Sequence, residues 1–421
     1  MTTTVSTTED KESARRIMLR CDELTKFSRD SSTYCRTYLT PEQRAAADWL
    51  GEKMREAGMT VREDAVGNVI GRYEAQSEQA RAVILGSHFD TVPDAGRYDG
   101  NLGVITAIEC VATLALARRR LPFAIEVYAF ADEEGTRFTT GFLTSSAVVD
   151  GIVNFPLRHV DQDGMSVADA FEEYGLSVEN INTAKRRSDE FLAYIELHIE
   201  QGPVLEENDL AICPVTSIAG QTRLSITIDG KAGHAGTVPM SLRRDALAGA
   251  AEMIIEVERV CRADDRLVGT VGTVNVSPGA LNVIPGEVEF GIDIRSADDS
   301  VRQPAVDKLL TFFRATAKKR GLEITTEVKQ TTPAVACDSW LLDIIDAACA
   351  DITGRSLQLY SGAGHDAAIM ASLCPAGLIF VRCKDGISHH PAESITLDDA
   401  DVAFRAMMRA LERLADSPTF T

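Results

Sequence analysis

Short apolar runs that end in polar residues recur through the first half of the chain. The runs at 82–85 and 125–130 are followed directly by Gly-Ser-His-Phe-Asp and by an acidic cluster, and a third run at 192–199 carries a histidine. Continuous apolar runs of this length predict buried strands. Segments at 41–58 and 104–118 predict helices, the first with a Thr-Pro start typical of a helix N-terminus. Strands that alternate with helices and end in polar residues predict an open α/β sheet.

The pattern changes between residues 214 and 329. Leu224, Ile226 and Ile228 alternate with polar residues, which predicts a strand with one buried face. The segment as a whole predicts, in order, strand 223–229, helix 242–260, strand 267–276, strand 288–294, helix 301–319 and strand 322–328. A β-α-β-β-α-β order is typical of a ferredoxin-like α+β domain, with a small antiparallel sheet and two helices on one face.

The α/β pattern returns after this insert, with a helix predicted at 340–352, a strand at 378–381 and a helix at 397–414. We therefore predict a discontinuous, open mixed-sheet α/β domain formed by residues 1–213 and 330–421. The inserted α+β domain spans residues 214–329. Residues 1 to about 12 are polar and are predicted to form a frayed tail.

Composition and charge narrow the classes of partner. The 421 residues are 45% hydrophobic, and 63 acidic against 43 basic side chains give a formal charge of -20. Such a charge repels phosphate backbones and anionic headgroups, so neither nucleic acid nor membrane is expected as a partner and a small molecule is favoured. The longest apolar stretch, 103–117, contains Glu109 and is shorter than the roughly 20 residues that cross a bilayer.

Cysteine usage and the first residues predict a cytoplasmic location. The nine cysteines are scattered singly and form no CxxC pair, which suits reduced thiols. The first ten residues have neither a basic region nor an apolar one, so no secretory signal is expected.

Candidate metal ligands lie at the predicted strand ends and in glycine-containing loops. They are His88, Asp90, Asp99, Glu133, Glu134, His198 and His389. Mixed imidazole and carboxylate donors suit Zn, Mn, Co or Ni ions, and a carboxylate that bridges two ions would make a dinuclear hydrolytic site. Any one of these residues alone could instead cap a helix or complete a turn, but the seven together favour a metal site.

Five stretches of the sequence carry a family resemblance. They are GSHFDTVP at 86–93, DGNLG at 99–103, FADEEGTRF at 130–138, ELHIEQGP at 196–203 and GISHHPAE at 386–393. In this order they resemble the dinuclear metallohydrolases of the M20 superfamily, and within it the hydantoinase/carbamoylase amidase branch. That branch includes N-carbamoyl-L-amino acid hydrolases, allantoate amidohydrolases and yeast-type β-alanine synthase. The resemblance extends over nearly the whole chain, and the insert corresponds to a lid and dimerisation domain.

The resemblance implies how two divalent ions would be held. His88 and His198 would bind one ion, Glu134 and His389 the other, and Asp99 would bridge them. The His389-His390 doublet leaves two choices for the last ligand, and the Ser-His-x-Pro pattern favours His389.

The resemblance also implies roles for two further carboxylates. Asp90 would orient the His88 imidazole. Glu133 would be the general base; on an extended segment it points away from the neighbouring ligand Glu134, as a base that serves an activated water must.

Six residues are implied as substrate contacts: Gln201, His234, Asn282, Arg295, Gly364 and His365. Arg295 would hold a substrate carboxylate with its two-pronged guanidinium, and His234 would help to stabilise the oxyanion. The alternative interpretations are a turn residue for Asn282, a surface ion pair for Arg295 and a simple turn around Gly364.

The implied activity is hydrolysis of a ureido compound that bears a carboxylate, such as an N-carbamoyl-L-amino acid or allantoate, with release of ammonia. A homodimer through the lid and a hinge near residues 213 and 330 are also expected. One alternative is an M20 peptidase or N-acyl-amino acid deacylase that uses the same dinuclear site, and the Glu-Gln-Gly-Pro stretch argues against it. A non-catalytic binding protein is the other alternative, and the complete set of ligand positions argues against that.

Overall fold

The computed structural model describes residues 6–30, 32–77 and 79–417. Eleven α-helices are found there: α1 (Thr8–Leu24), α2 (Pro41–Glu56), α3 (Asn101–Leu116), α4 (Leu143–Asp150), α5 (Val167–Tyr174), α6 (Val204–Glu207), α7 (Ala246–Cys261), α8 (Asp299–Arg320), α9 (Ser339–Thr353), α10 (Asp366–Met370) and α11 (Leu397–Ala415). Short 3-10 helices lie at Val178–Ala184, Ser188–Glu190, Met240–Leu242 and Lys384–Gly386.

The same residues contain fifteen strands: β1 (Thr60–Glu63), β2 (Val69–Tyr73), β3 (Ala82–His88), β4 (Ala124–Phe130), β5 (Phe191–Ile199), β6 (Ile212–Ile218), β7 (Gly220–Asp229), β8 (Gly233–His234), β9 (Leu267–Ser277), β10 (Val283–Ile284), β11 (Glu287–Ser296), β12 (Glu323–Thr332), β13 (Val335–Ala336), β14 (Leu359–Ser361) and β15 (Ala376–Val381). The chain divides into two compact units. The first contains residues 1–216, 337–359 and 364–421, and the second contains residues 217–336 and 360–363.

The first unit is built on a mixed sheet. Its strand order is β1-β2-β4-β3-β5-β15-β6. The four central strands run parallel, because β3 pairs in parallel with both β4 and β5, and β15 with β5. Antiparallel strands flank them on both sides. The predicted mixed α/β class is therefore confirmed.

The central strands carry the first candidate ligands to one edge of the sheet. Every residue of β3 and β4 is buried, as the apolar runs predict. His88 pairs with Phe130 at the shared carboxyl end of these two strands, and His198 lies near the same end of β5. Because the strands are parallel, the polar residues that follow them meet at one edge.

Helices cover the first unit's sheet. Helix α3 packs on β3, β4 and β5 and is buried along most of its length. Helices α1 and α11 pack against α3, and α9 packs against α11 and β15. Thr40 caps α2 and Pro41 occupies its first turn, as predicted.

The predicted polar tail at residues 1–12 is wrong from residue 8 onward. Helix α1 begins at Thr8, and Thr7 caps it in a reciprocal capping box with Asp10. Ile17, Cys21 and Leu24 are buried at helical spacing on its inner face. Residues 1–5 lie outside the described part of the chain.

The second unit contains a four-stranded antiparallel sheet in the order β12-β7-β11-β9. Its two helices, α7 and α8, pack together and against the sheet. Leu224, Ile226 and Ile228 of β7 are buried in the core between sheet and helices, as their alternation predicts. Asp245 and Asp298 cap the two helices. The chain order through this sheet and its helices is β-α-β-β-α-β.

All nine cysteines lie in the described part of the chain, and none is paired with another. Within that part, no helix has both the length and the apolar character required to cross a bilayer.

Candidate functional site

The Asp99 carboxylate lies at the centre of the predicted ligands. Its Oδ1 atom is 3.3 Å from His88 Nε2 and 3.1 Å from His198 Nε2, and these two imidazole nitrogens are 3.4 Å apart. All three side chains are buried. We call His88, Asp99 and His198 the first ligand group; their donor atoms lie within 4.8 Å of one another.

The two imidazoles of the first ligand group are held in the orientation that metal binding requires. His88 Nδ1 donates to the backbone carbonyl of Asp90 at 3.1 Å, and His198 Nδ1 donates to the carbonyl of Ile199 at 2.9 Å. With the protons on Nδ1, both Nε2 atoms present lone pairs towards the Asp99 carboxylate. Three electron-pair donors thus converge on one point, which suits a cation.

A second ligand group lies on the other side of the same carboxylate. Asp99 Oδ2 is 3.5 Å from His389 Nε2, which is 3.4 Å from Glu134 Oε1. We call Asp99, Glu134 and His389 the second ligand group; their donor atoms also lie within 4.8 Å of one another. The His389 side chain is 47% exposed, and its backbone has a φ of 54°. A left-handed conformation is uncommon for a non-glycine residue and is concentrated at functional sites.

Glycine at position 100 makes room for the first ligand group. Gly100 has a φ of 65°, and a β-carbon there would collide with the His88 imidazole. Its backbone nitrogen lies 3.2 Å from His198 Nε2. The glycine that follows Asp99 therefore allows the backbone to approach both imidazoles closely.

Asp90 contacts the backbone of both predicted glutamates. Its Oδ1 accepts the N–H of Glu133 at 3.0 Å and its Oδ2 accepts the N–H of Glu134 at 3.1 Å. Asp90 Oδ1 also lies 3.4 Å from His88 Nδ1. One buried carboxylate thus links the end of β3 to the segment after β4. Donor atoms of Glu133, Glu134 and His88 lie within 4.8 Å of one another. The expectation that Glu133 points away from Glu134 is therefore wrong, because the segment after β4 bends instead of continuing as an extended strand.

The cluster around Asp99 carries an excess of carboxylates. Desolvation, together with the neighbouring carboxylates, raises the pKa of both Glu133 and Glu134 well above the usual range, although His88 opposes the shift. Burial also acts on Asp99, but the adjacent His198 and His88 hold its pKa well below the usual range. Within the described residues, no arginine or lysine forms an ion pair with these carboxylates. A set of imidazoles and carboxylates that lacks a basic partner fits divalent cations.

The loop that carries His389 supplies two contacts that the sequence analysis did not assign. Ser388 Oγ donates to Asp99 Oδ2 at 2.5 Å. Glu393 Oε1 accepts the backbone N–H groups of Tyr98 at 2.7 Å and Asp99 at 3.1 Å. Burial and the nearby Asp99 raise the pKa of Glu393 to about 7. Both residues lie in the GISHHPAE stretch, and their nearness to His389 in the sequence could have identified them as candidate site residues.

Gln201 lies against the ligand cluster. Its Nε2 donates to Asp99 Oδ2 at 2.7 Å and lies 3.3 Å from Ser388 Oγ. Its Oε1 is buried and has no hydrogen-bond partner among the described residues. That oxygen is an acceptor available to a ligand N–H.

His365 also adjoins the cluster. Its ring meets the His198 ring edge to face, with centroids 4.6 Å apart, and it is buried. Desolvation and the neighbouring imidazoles hold the pKa of His365 well below the usual range. The preceding residue, Gly364, lies against Phe142, whose ring leaves no room for a β-carbon.

The three other predicted substrate contacts lie in the second unit. His234 on β8 pairs with Val283 on β10, and the Asn282 carbonyl accepts the N–H of Ala235 at 2.9 Å. His234 and Asn282 are therefore neighbours within this unit. His234 Nδ1 accepts the N–H of Gly236 at 3.0 Å.

Arg295 already uses its guanidinium within the second unit. Its Nε and Nη2 donate to the two oxygens of Asp293 at 3.0 and 2.9 Å, and its Nη1 donates to the Gly362 carbonyl at 2.7 Å. The guanidinium is thus oriented by a carboxylate on the same strand.

A buried arginine behind the ligands is a further contact that sequence reasoning missed. Arg36 is fully buried, and its guanidinium donates to the Phe89 carbonyl at 2.6 Å, the Leu24 carbonyl at 2.9 Å and Asn101 Oδ1 at 2.7 Å. Phe89 follows His88, and Asn101 lies two residues after Asp99. No motif marks this arginine in the sequence.

The chain is similar to known proteins over most of its length. Residues 84–413 match the family model described as "Peptidase family M20/M25/M40". The chain is 41% identical to an N-carbamoyl-L-amino acid amidohydrolase of Geobacillus stearothermophilus, covering 90% of this chain and 93% of the relative. It is 40% identical to an allantoate deiminase of Arabidopsis thaliana, covering 93% and 81%.

A solved structure is similar over nearly the full length. An amidase of the hydantoinase/carbamoylase family from Burkholderia multivorans has a TM-score of 0.89 and 32% identity, covering 96% of this chain and 98% of that one. The chain belongs to peptidase family M20/M25/M40 and, within it, groups with the hydantoinase/carbamoylase amidases.

Proposed function

We propose that this protein is a metal-dependent amidohydrolase that cleaves a non-peptide C–N bond. Its substrate is a ureido compound that bears a carboxylate, an N-carbamoyl-L-amino acid or allantoate, and the reaction releases ammonia. The relatives named N-carbamoyl-L-amino acid amidohydrolase and allantoate deiminase support this substrate class.

One observation carries the proposal: a single carboxylate, Asp99, lies between two ligand groups. His88 and His198 approach its Oδ1, and His389 approaches its Oδ2. This arrangement supports a centre in which His88, His198 and Asp99 would hold one divalent ion and Asp99, Glu134 and His389 would hold a second. Zn is one candidate, and Mn, Co and Ni suit the same donors. When bound, such ions lower the pKa of a water and polarise a carbonyl as Lewis acids.

Glu133 moves the proton in this proposal. Its carboxylate accepts a proton from the attacking water, and the water oxygen forms a bond to the ureido carbonyl carbon. The same carboxyl group then returns the proton to the leaving nitrogen as the C–N bond breaks. Desolvation raises the pKa of Glu133, which suits a group that must both accept and donate a proton near neutral pH. Asp90 holds the Glu133 backbone, and it also orients the His88 imidazole.

Substrate recognition in the first unit is assigned to Gln201, Gly364 and His365. The unpartnered Oε1 of Gln201 supports acceptance of a hydrogen bond from a ureido N–H. His365, kept neutral beside His198, supports a hydrogen bond to an uncharged part of the substrate.

The second unit is assigned the role of a lid and dimerisation domain, so the protein would act as a homodimer. His234 would stabilise the oxyanion, Asn282 would bind a polar group, and Arg295 would bind the substrate carboxylate. The Asp293 contact holds the Arg295 guanidinium in one orientation. The N–H groups of Arg295 that do not contact Asp293 or Gly362 would bind the planar substrate carboxylate. We also propose a reducing compartment, the cytoplasm, because all nine cysteines are unpaired.

A substrate panel tests the proposed function. Ammonia release is measured with N-carbamoyl-L-amino acids and allantoate, and hydrolysis is measured with an N-acetyl amino acid and a dipeptide, after reconstitution with each metal in turn. We expect turnover of a ureido substrate, loss of activity on chelation and recovery on addition of metal. Hydrolysis of only the acetylated amino acid or the dipeptide would instead identify a deacylase or peptidase.

A further inference from the structure

The second ligand group is built from three separate parts of the chain, and Glu393 connects two of them. The Glu393 side chain is 2% exposed, although a carboxylate is costly to bury. Its Oε1 accepts two successive backbone N–H groups, those of Tyr98 and Asp99. No arginine or lysine pairs with it among the described residues, so its burial is explained by these amide contacts.

Glu393 also closes the turn that carries His389. Its own N–H donates to the His390 carbonyl at 3.0 Å, and its Oε2 lies 3.2 Å from Ser388 Oγ. Ser388 in turn lies 2.5 Å from Asp99 Oδ2. The Glu393 side chain therefore contacts the backbone of Asp99 and Ser388, the residue before His389, whose backbone is left-handed.

Gly96 packs directly against the Glu393 side chain. A β-carbon at Gly96 would collide with the Glu393 side chain, while the Gly96 backbone itself lies outside the left-handed region and accepts alanine. Alanine at position 96 would therefore displace the Glu393 carboxyl group without removing any charged or polar atom.

We propose that Glu393 is a positioning residue for the second ligand group, setting the distance between Asp99 and His389 so that an ion binds there. The inference rests on the proposed dinuclear centre. Asp99 belongs to both groups, but the two imidazoles of the first group are held by the carbonyls of Asp90 and Ile199, whereas His389 lies on the loop that Glu393 contacts. Loss of Glu393 therefore weakens the second ion more than the first.

The test is a Mn²⁺ titration of the metal-free full-length protein, with bound ions counted by atomic absorption. Wild type should bind two ions per chain. Glu393→Ala and Gly96→Ala should each keep the tighter ion and bind the weaker one roughly 10–100-fold less tightly, the usual effect of losing a residue that supports a ligand. Glu393→Gln, which keeps an acceptor oxygen for the two amides, should have an intermediate effect.

Asp64→Asn is the matched control, since Asp64 is a buried carboxylate that accepts the N–H groups of Val66 and Asn68 and contacts no ligand. It should bind both ions as wild type does. Unchanged affinity for both ions in the Glu393 and Gly96 variants overturns the inference, and so does an equal loss of both affinities with a lower melting temperature. If Glu393→Ala does not fold, Gly96→Ala and Glu393→Gln decide in the same way. Wild type that binds fewer than two ions would contradict the dinuclear centre itself, and the inference with it.

Discussion

The Asp90 carboxylate accepts the backbone N–H of Glu133 at 3.0 Å, although 43 residues separate them in the chain. Its second oxygen accepts the N–H of Glu134. Asp90, two residues after β3, thus positions the proposed base Glu133 and the proposed ligand Glu134, which both follow β4.

Asp90→Asn tests this relationship. Asparagine has one acceptor oxygen, so one of the two N–H groups would face an amide donor instead. We expect turnover to fall roughly 10–100-fold, as is usual when a residue that supports metal-site groups is replaced. Steady-state ammonia release measures the effect. Asp161→Asn is the control, because Asp161 accepts the N–H groups of Asp163 and Met165 away from the ligands and should leave turnover unchanged.

Gly100→Ala should disturb the first ligand group. Gly100 has a φ of 65° and a ψ of -52°, a backbone conformation that strains any residue with a β-carbon, and the new methyl group also collides with the His88 ring. Both stability and metal affinity should therefore fall, as measured by urea unfolding and metal titration.

Gly164→Ala separates the two effects of that change. Gly164 also has a positive φ, 83°, but no atom lies within 4 Å of the added β-carbon. Gly164→Ala should lose stability from the backbone and keep its metal affinity. Equal metal affinities in the two variants would show that close approach to His88 is unimportant.

Arg36→Met should destabilise the first unit. The change removes a buried guanidinium and leaves the carbonyls of Phe89 and Leu24 and the amide oxygen of Asn101 without this donor. The Leu24 carbonyl keeps the Phe27 N–H as a donor. Since each of the other two buried acceptors costs about 1–3 kcal/mol when left unsatisfied, we expect a loss on the order of 3 kcal/mol in the free energy of unfolding.

Arg15→Met is the matched surface control for Arg36. Arg15 is 53% exposed and pairs with Glu12 on the same helix, so its replacement should change stability by less than about 1 kcal/mol. An Arg36→Met protein that unfolds at the same urea concentration as wild type would contradict a bridging role for this arginine.

The sequence predicts which residues cluster at the strand ends better than it predicts the contacts that support them. The proximity of His88, Glu134 and His198 to one sheet edge could be predicted because buried apolar runs end at or near them, and parallel strands bring those ends together. The alternation of Leu224, Ile226 and Ile228 likewise identified the sheet of the second unit.

Contacts between segments far apart in the chain could not be predicted from the sequence pattern. Glu393 contacts the N–H of Asp99, 294 residues away, and no periodicity encodes that contact. Arg36 has no local signature either. Helix α1, in contrast, was missed despite a signal: Thr7 and Asp10 form a capping box, and Ile17, Cys21 and Leu24 follow at helical spacing.

The most direct test of the central claim is ammonia release from a ureido substrate by wild type and by Glu133→Gln, with metal content measured on the same samples. The glutamine is nearly isosteric but cannot accept the proton of the attacking water. With two ions bound in both proteins, turnover should fall by about 10²–10⁴-fold, the contribution of a general base. A fully metallated Glu133→Gln protein that turns over at close to the wild-type rate would contradict the account.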